Sequence, residues 1–386
     1  MIPTVYHAIV LTFLVVMTVI AAVNVIMFPS LVFRGRAKST PRVSVLIPAR
    51  NEAANLNGTL ASMVNQHYEN IEIIVLDDNS EDGTFDIASR ESERDSRITV
   101  IRGRPLPQGW VGKTFACHQL AEHATGDLLL FVDADTVQSR TSIGAAVAEL
   151  ESTGAHLLTV IPRQSMVGFW EKILLPLLHF STFCYLPMPL VSITRSPKLA
   201  MANGQFMLFR ADAYRSIGGH ASVRAALVED VWLARRIKEH DRKLVIRYGG
   251  AEVSCRMYSS FRQIWDGFSK NLFPGFNYSL AMISGVVIFN GITSVVPFVA
   301  VAGGLVWGAI GSPWFLAAAI EGGLAILIRL LLAARFDMDR WPILLHPIAM
   351  VVFLGIAVNS VRCFVVGQGA QWKGRVYRAH DQVVSL

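Results

Sequence analysis

The chain is poor in charge. Of its 386 residues only 17% are Asp, Glu, Lys or Arg, while 52% are hydrophobic; a soluble domain carries about 25% charged residues. The deficit is local: residues 8–28 and 278–320 contain no charged side chain, whereas residues 34–270 read as an ordinary soluble domain. Cysteine is scarce as well. Cys117, Cys184, Cys255 and Cys363 form no C-x-x-C pair and sit at no zinc-ligand spacing, which excludes a zinc framework and a disulfide scaffold and fits a reduced compartment. The formal charge is 35 − 29 = +6, yet no stripe of Lys and Arg interleaved with aromatics occurs, so nucleic acid is excluded as a partner. A Walker A loop is lacking too: Gly112-Lys113-Thr114 matches its end, but the first glycine it requires falls on Pro107.

What is present begins with apolar runs. The first is long enough to cross a bilayer, which takes about 20 residues. It has no Lys or Arg before it, and Arg34, Arg36, Lys38 and Arg42 follow it. That order predicts a retained anchor over 1–33, with the N-terminus outside and the following domain in the cytoplasm. Three further spans are expected within 278–366: 278 to about 310, 313–334 and 342–361. The middle one contains Glu321 and Arg329, and Arg329 is expected to snorkel from its end. Lys373, Arg375 and Arg378 lie in a basic tail over 367–386. They prefer the cytoplasm, yet three spans would place them outside; a split around Asn290-Gly291 would reconcile the two rules. Residues 173–193 are uncharged but interrupted by Pro176, Pro187 and Pro189, which predicts a segment on the bilayer surface. An interfacial helix region is expected over 256–277, where Trp265, Phe268, Phe273 and Phe276 alternate with Arg262 and Lys270. Side chains such as Leu177 and Phe268 are expected to line an acceptor groove between these segments.

Between anchor and spans, short apolar runs at 43–47, 71–76 and 128–132 alternate with helical stretches. This predicts an α/β domain over 41–255 with a mostly parallel sheet flanked by helices, whose ligands bind beyond the carboxyl ends of the strands. Polar clusters fall at those ends. Asp133-Ala134-Asp135 can present oxygens to one hard cation, Mg²⁺ or Mn²⁺, leaving positions open for phosphates. Asp77-Asp78-Asn79-Ser80-Glu81-Asp82 can accept from the N–H of a nucleobase or from ribose hydroxyls, with Asp82 as a helix cap. Pro48-Ala49-Arg50-Asn51-Glu52 ends another strand. Lys113 is a candidate point charge for a diphosphate, and Glu229-Asp230 opens a helix where a carboxylate can act as a base.

In this order the clusters resemble family 2 glycosyltransferases, inverting enzymes of the GT-A fold, over about residues 41–270. The resemblance implies that Asp78 binds the nucleobase, that Asp133 and Asp135 bind the metal and diphosphate, and that Asp230 is the catalytic base. It extends nucleotide-sugar binding to Pro48, Ala49, Arg50, Glu52, Lys113, Ala134, Asn203 and Gly204, with acceptor or diphosphate contacts from His220, Glu229, Arg256 and Lys270. Gly109-Trp110-Val111-Gly112-Lys113, Asn203-Gly204-Gln205, Gly218-Gly219-His220 and Trp372-Lys373-Gly374-Arg375 resemble the carotenoid-type and hopanoid-associated members. This implies hexose transfer, with UDP-glucose as the expected donor, to a hydroxyl or carboxyl of a membrane lipid such as a carotenoid or other isoprenoid, at the plasma membrane. Processive polysaccharide synthases carry Q-x-x-R-W after the base; here Phe261-Arg262-Gln263-Ile264-Trp265 stands instead, which favours one sugar per acceptor. A polymer synthase, a polyprenyl-phosphate sugar transferase and a transporter with a regulatory domain are the other readings.

Overall fold

The computed structural model describes residues 2–33, 35, 39–366 and 369–377; Arg34, Arg36, Lys38 and Arg378 lie outside the described residues. Helix α1 (Ile2–Met27) precedes β1 (Val43–Ala49), α2 (Leu56–Val64), β2 (Ile71–Asp77), α3 (Thr84–Arg94), β3 (Ile98–Arg102) and α4 (Gly112–His123). There follow β4 (Leu128–Val132), β5 (Thr136–Gln138), α5 (Ser142–Thr153), β6 (Leu157–Ile161), β7 (Arg163–Gln164), α6 (Phe169–Leu174), α7 (Pro176–Phe183) and α8 (Met188–Ile193). The chain continues through β8 (Phe206–Arg210), α9 (Ala211–Ser216), α10 (Glu229–Glu239), β9 (Leu244–Tyr248), β10 (Val253–Cys255) and α11 (Phe261–Gly275). It ends with α12 (Leu280–Ser294), α13 (Val296–Val306), α14 (Pro313–Arg335), α15 (His346–Val365), β11 (Ala370–Trp372) and β12 (Arg375–Tyr377). Two compact units interleave along it. One comprises Met1–Phe28, Met166–Met188 and Tyr258–Trp372; the other comprises Pro29–Ser165, Pro189–Met257 and Lys373–Leu386.

The second unit holds a seven-stranded sheet in the order β3-β2-β1-β4-β8-β6-β9. Strands β1, β2, β3 and β4 are mutually parallel, as are β6 and β9; β8 runs antiparallel to both β4 and β6. Covered on both faces, the strands read as continuous apolar runs rather than alternating ones: Val43, Val45, Leu46 and Ile47 are all fully buried, as are Leu130 and Val132. Each such side chain contributes about 1.5–3 kcal/mol on burial. Parallel pairing has a direct consequence. Ala49 pairs with Asp77, and Leu46 with Phe131, so the polar clusters that follow β1, β2 and β4 reach one edge. The antiparallel β8 brings its amino end there as well, with Phe206 opposite Val132. A small second sheet, β5-β10-β7, sets Cys255 opposite Thr136.

The first unit is helical. Among the described residues four helices are long and apolar enough to cross a membrane: Val5–Met27, Leu280–Val306, Pro313–Arg335 and Trp341–Val365. The second is broken at Val295 (φ −122°, ψ −54°), just before Pro297, which lacks the N–H a continuous helix would use. Its halves have 15 and 11 residues, or about 22 and 16 Å, each short of a hydrocarbon core of about 30 Å. The break falls five residues after Asn290, and Asn290 is itself held by the Tyr185 hydroxyl at 2.8 Å. Residues 173–193 form helices of eight and six residues, likewise too short to cross. Two expectations need correction. Arg329 does not snorkel: it is only 3% exposed, packed within the unit. Leu177 and Phe268 do not line an open groove. Both are buried inside the first unit, Phe268 against Tyr258 and Phe353. Phe169, Trp170 and Trp341 are among the exposed aromatics of the unit instead, with Phe169 and Trp341 stacked at 5.7 Å.

Polar groups also pin this unit. Asn24, fully buried, donates to Phe183 O (2.7 Å) and Leu186 O (2.9 Å) and accepts from Met188 N (2.7 Å). It therefore satisfies three backbone groups where α7 turns into α8. Asn24→Leu would leave all three without partners, at about 1–3 kcal/mol each. Thermal unfolding in detergent should show a clearly lowered midpoint; an unchanged midpoint would mean that water replaces the amide.

Candidate active site

The loops beyond β1 and β2 brace each other. Asp78 N donates to Ala49 O (2.7 Å), and Arg50 Nη1 donates to Asp78 O (2.6 Å) and Asn79 O (2.9 Å). Glu52 N donates to Thr84 Oγ1 (2.8 Å), and Asp82 accepts from Ala53 N and Thr84 N. Arg50 is thus occupied with backbone carbonyls, and the Asp78 carboxylate is left for side-chain partners. Pro48 and Ala49 close the end of β1 itself.

After β4 the chain turns sharply. Thr136 Oγ1 donates to Asp133 O (2.9 Å), and Thr59 Oγ1 donates to Ala134 O (2.7 Å) and Thr136 O (2.9 Å). With Ala134 buried in this brace, Asp133 and Asp135 project from it. Lys113, on the first turn of α4, joins Asp133 Oδ1 at 2.7 Å to Glu229 Oε1 at 3.1 Å. Burial opposes its charge, but Asp133 and then Glu229 outweigh that effect and hold the ammonium protonated well above the usual lysine range. Asp230, at the start of α10, accepts from Gly204 N (2.9 Å) and Val231 N (2.8 Å). Its carboxyl is pushed up to about 6, chiefly by burial and then by Glu229, against the pull of Lys113. Asp135 is pushed up to about 7, first by burial and then by Asp133 and Glu52. Gly204 is the permissive residue here: a Cβ on it would lie 3.1 Å from Lys113 Nζ and 3.4 Å from Glu229 Oε1.

Asp135 Oδ1 is buried without a hydrogen-bond partner. An orphaned carboxylate oxygen beside Asp133 fits a hard divalent cation. Among the described residues no group of three or more His, Cys, Asp or Glu side chains could hold a metal ion alone. A cation bound here would need further oxygens, from substrate or water, to complete its shell.

Of the other residues singled out in the sequence, Asn203 precedes β8, where Thr159 Oγ1 donates to its carbonyl and its side chain accepts from Gln205 N. His220 is not brought to the pocket. It is 2% exposed, packed on Phe131 with Nδ1 2.7 Å from Tyr214 Oη, and burial lowers it to about 3: a neutral core histidine. Arg256 is exposed beyond β10, and Lys270 lies on α11 in the first unit. Residues that the pattern did not single out for the site stand in it. Gln205 Nε2 donates to Cys255 Sγ (2.8 Å), and the Cys255 thiol, raised by burial, feels Asp135 and Asp133. From the tail, Arg375 grips Asp78, with Nη2 2.8 Å from Oδ1, and Lys373 pairs with Glu52. No local spacing announces a contact that spans about 300 residues.

Residues 44–218 match the family model described as Glycosyl transferase family 2. "Probable glycosyltransferase YdaM" of Bacillus subtilis (strain 168) is 29% identical over 238 residues, 60% of this chain and 54% of that protein, so the chain spans about half of that relative's length. The "4,4'-diaponeurosporenoate glycosyltransferase" of Staphylococcus haemolyticus (strain JCSC1435) is 25% identical over 348 residues, 88% of this chain and 89% of that protein. Among solved structures, "Mannosyltransferase PcManGT from Pyrobaculum calidifontis in complex with GDP-Man and Mn2+" matches with a TM-score of 0.59 at 18% identity, covering 93% of this chain and 97% of that one. That likeness is one of fold, the GT-A arrangement.

The role of Lys113 is testable through stability. Lys113→Met removes the cation that lowers both Asp230 and Asp135. Their pKa values, already about 6 and about 7, then rise further, and ionising them in the folded state costs more. The variant should already lose stability at pH 5 through the broken pairs with Asp133 and Glu229, with no added loss from Asp230 and Asp135, which are protonated there. The loss should grow as pH rises through 6–7 and be larger at pH 8. A deficit independent of pH in thermal melts would refute the coupling of Lys113 to Asp230 and Asp135.

Proposed function

The chain carries a glycosyltransferase family 2 domain and resembles the carotenoid glycosyltransferases, and from that premise we propose that it transfers glucose from UDP-glucose to a hydroxyl of a membrane isoprenoid lipid with inversion. The reading is supported chiefly by one arrangement: Asp230, Lys113 and the Asp133/Asp135 pair converge on the sheet edge where α/β folds bind ligands.

Asp78 takes the nucleobase end of the donor. Mg²⁺ or Mn²⁺ held by Asp133 and Asp135 would offset the charge of the departing diphosphate. Lys113 adds a second positive charge beside that leaving group. Asp230, its two oxygens fixed by Gly204 N and Val231 N, accepts the proton of the acceptor hydroxyl as the oxygen attacks the anomeric carbon. A base near 6 is ionised at neutral pH, yet basic enough to draw the proton in the transition state. A lipid carboxylate, the acceptor that the relatives' printed names suggest, has no proton to give and would not need this base.

The acceptor stays in the bilayer, because each CH₂ exposed to water costs about 0.8 kcal/mol. The enzyme is a multi-pass protein of the plasma membrane with its catalytic unit in the cytoplasm. Lys373 and Arg375 pair with residues of that unit, so the chain between Met257 and Lys373 makes an even number of crossings. Helices α14 and α15 cross, while the broken pair α12–α13 enters and leaves by one face.

Membranes containing the enzyme, given labelled UDP-glucose and extracted lipids, should yield an organic-soluble labelled product. EDTA or Asp135→Ala should abolish it. Full activity under either condition would sink the metal role, and label moving only into soluble sugars or polymer would sink the lipid acceptor.

Asp230→Asn should keep UDP binding but lose at least about 10²-fold in kcat. In the unaltered enzyme kcat/KM should fall as pH drops below about 6 through protonation of Asp230, and the variant should lack that limb. A wild-type-like profile in the variant, or no effect on turnover, would assign the base elsewhere and favour a carboxylate acceptor.

A further inference from the structure

The turn after the last apolar helix does more than end the chain. Lys373 and Gly374 both adopt positive φ, 47° and 75°, the left-handed pair of a tight two-residue turn, where glycine carries no steric cost. The turn is docked: Arg50 Nε donates to Lys373 O at 2.9 Å. From it two cations point into the carboxylate edge. Lys373 pairs with Glu52, and Arg375 takes both oxygens of Asp78 in a fork. Tyr377 lies close enough to Arg375 to favour its charge. A space is kept for the guanidinium: a Cβ on Gly112 would fall 1.7 Å from Arg375 Nη1 and 2.8 Å from its Cζ. Only glycine fits at the start of α4 with Arg375 in place.

Two other cations stand near the edge, each with partners of its own. Arg50 is spent on backbone carbonyls, and Lys113 is shared by Asp133 and Glu229. Glu52, Asp78, Asp133, Asp135, Glu229 and Asp230 together form a surface that repels a diphosphate unless further positive charge stands beside them. The fork of an arginine and the mobile ammonium of a lysine suit different tasks: planar orientation of a carboxylate, and point-charge capture of a phosphate.

We propose that Lys373–Tyr377 is a wall of the nucleotide-diphosphate site, in which Arg375 orients Asp78 against the nucleoside and Lys373 exchanges Glu52 for a diphosphate oxygen. This rests on the donor reading above. It makes Arg375 a positioning residue and Lys373 a ligand-binding one.

The test uses the full-length protein in nanodiscs, with UDP and Mn²⁺ as the probe in calorimetric titrations. Arg375→Gln and Lys373→Gln should each weaken UDP binding by about tenfold or more. Donor KM should rise in step, while acceptor KM stays within about twofold. Arg375→Lys should recover little, since an ammonium lacks the fork. Asp78→Asn combined with Arg375→Gln should be scarcely worse than either alone. In the unaltered protein UDP with Mn²⁺ should protect the chain from trypsin at Lys373 and Arg375, a readout that does not depend on any variant folding. Unchanged UDP affinity in the variants, or no protection, would overturn the inference alone; tighter UDP binding would show the turn to be a competing plug and overturn it as well. An unaltered protein that binds neither UDP nor GDP would sink the donor reading and this inference with it.

Discussion

Carboxylates gathered along one sheet edge cannot all stay ionised in a partly desolvated pocket unless cations reach them. Lys113 is the first of these. By bridging Asp133 and Glu229 it ties the end of β4 to the start of α10, two segments about a hundred residues apart. The balance is incomplete by design of the fold, for Asp135 retains an oxygen without a partner and Asp230 remains near 6. Such leftover demand for positive charge is what a divalent cation would satisfy. The stability of the free protein and its affinity for ligand thus draw on the same charges.

The backbone that assembles this edge needs little special chemistry. Parallel strands aligned by their buried faces end at the same level, so whatever follows them converges. β8 adds the one antiparallel element, and its reversal carries Asn203-Gly204-Gln205 to the edge from the other direction. Gly204 N can then meet Asp230. A Cβ at Gly204 would press on Lys113 Nζ at 3.1 Å while only touching Asp230 Cβ at 3.5 Å.

Much of this was legible in the sequence because it is local. The strand at 128–132 was bounded by Gly126-Asp127 and by Asp133, and the acidic clusters followed short apolar runs. β8, only five residues long between polar turns, offered no comparable pattern, and β6 and β9 were equally inconspicuous. His220 was assigned to acceptor or diphosphate contact through the resemblance alone, whereas Tyr214 and Phe131 bury the ring. Leu177 and Phe268 were misjudged because an apolar residue on a membrane-proximal helix can face lipid or its own unit, and periodicity does not say which. The tail contacts were illegible for a different reason. An ion pair between residues 52 and 373 depends on the return path of every helix between them. The break at Val295 lies close to Asn290-Gly291, where a split would reconcile the two conflicting charge rules.

A structure of the full-length protein with Mn²⁺ and UDP bears most directly on the claim that this edge is a charge-balanced donor site. The account predicts metal density between Asp133, Asp135 and a diphosphate oxygen, with the uracil against Asp78 and Lys113 drawn toward the diphosphate. Nucleotide bound away from these carboxylates, or bound with the Lys113 bridge intact and no metal at Asp135, would contradict it.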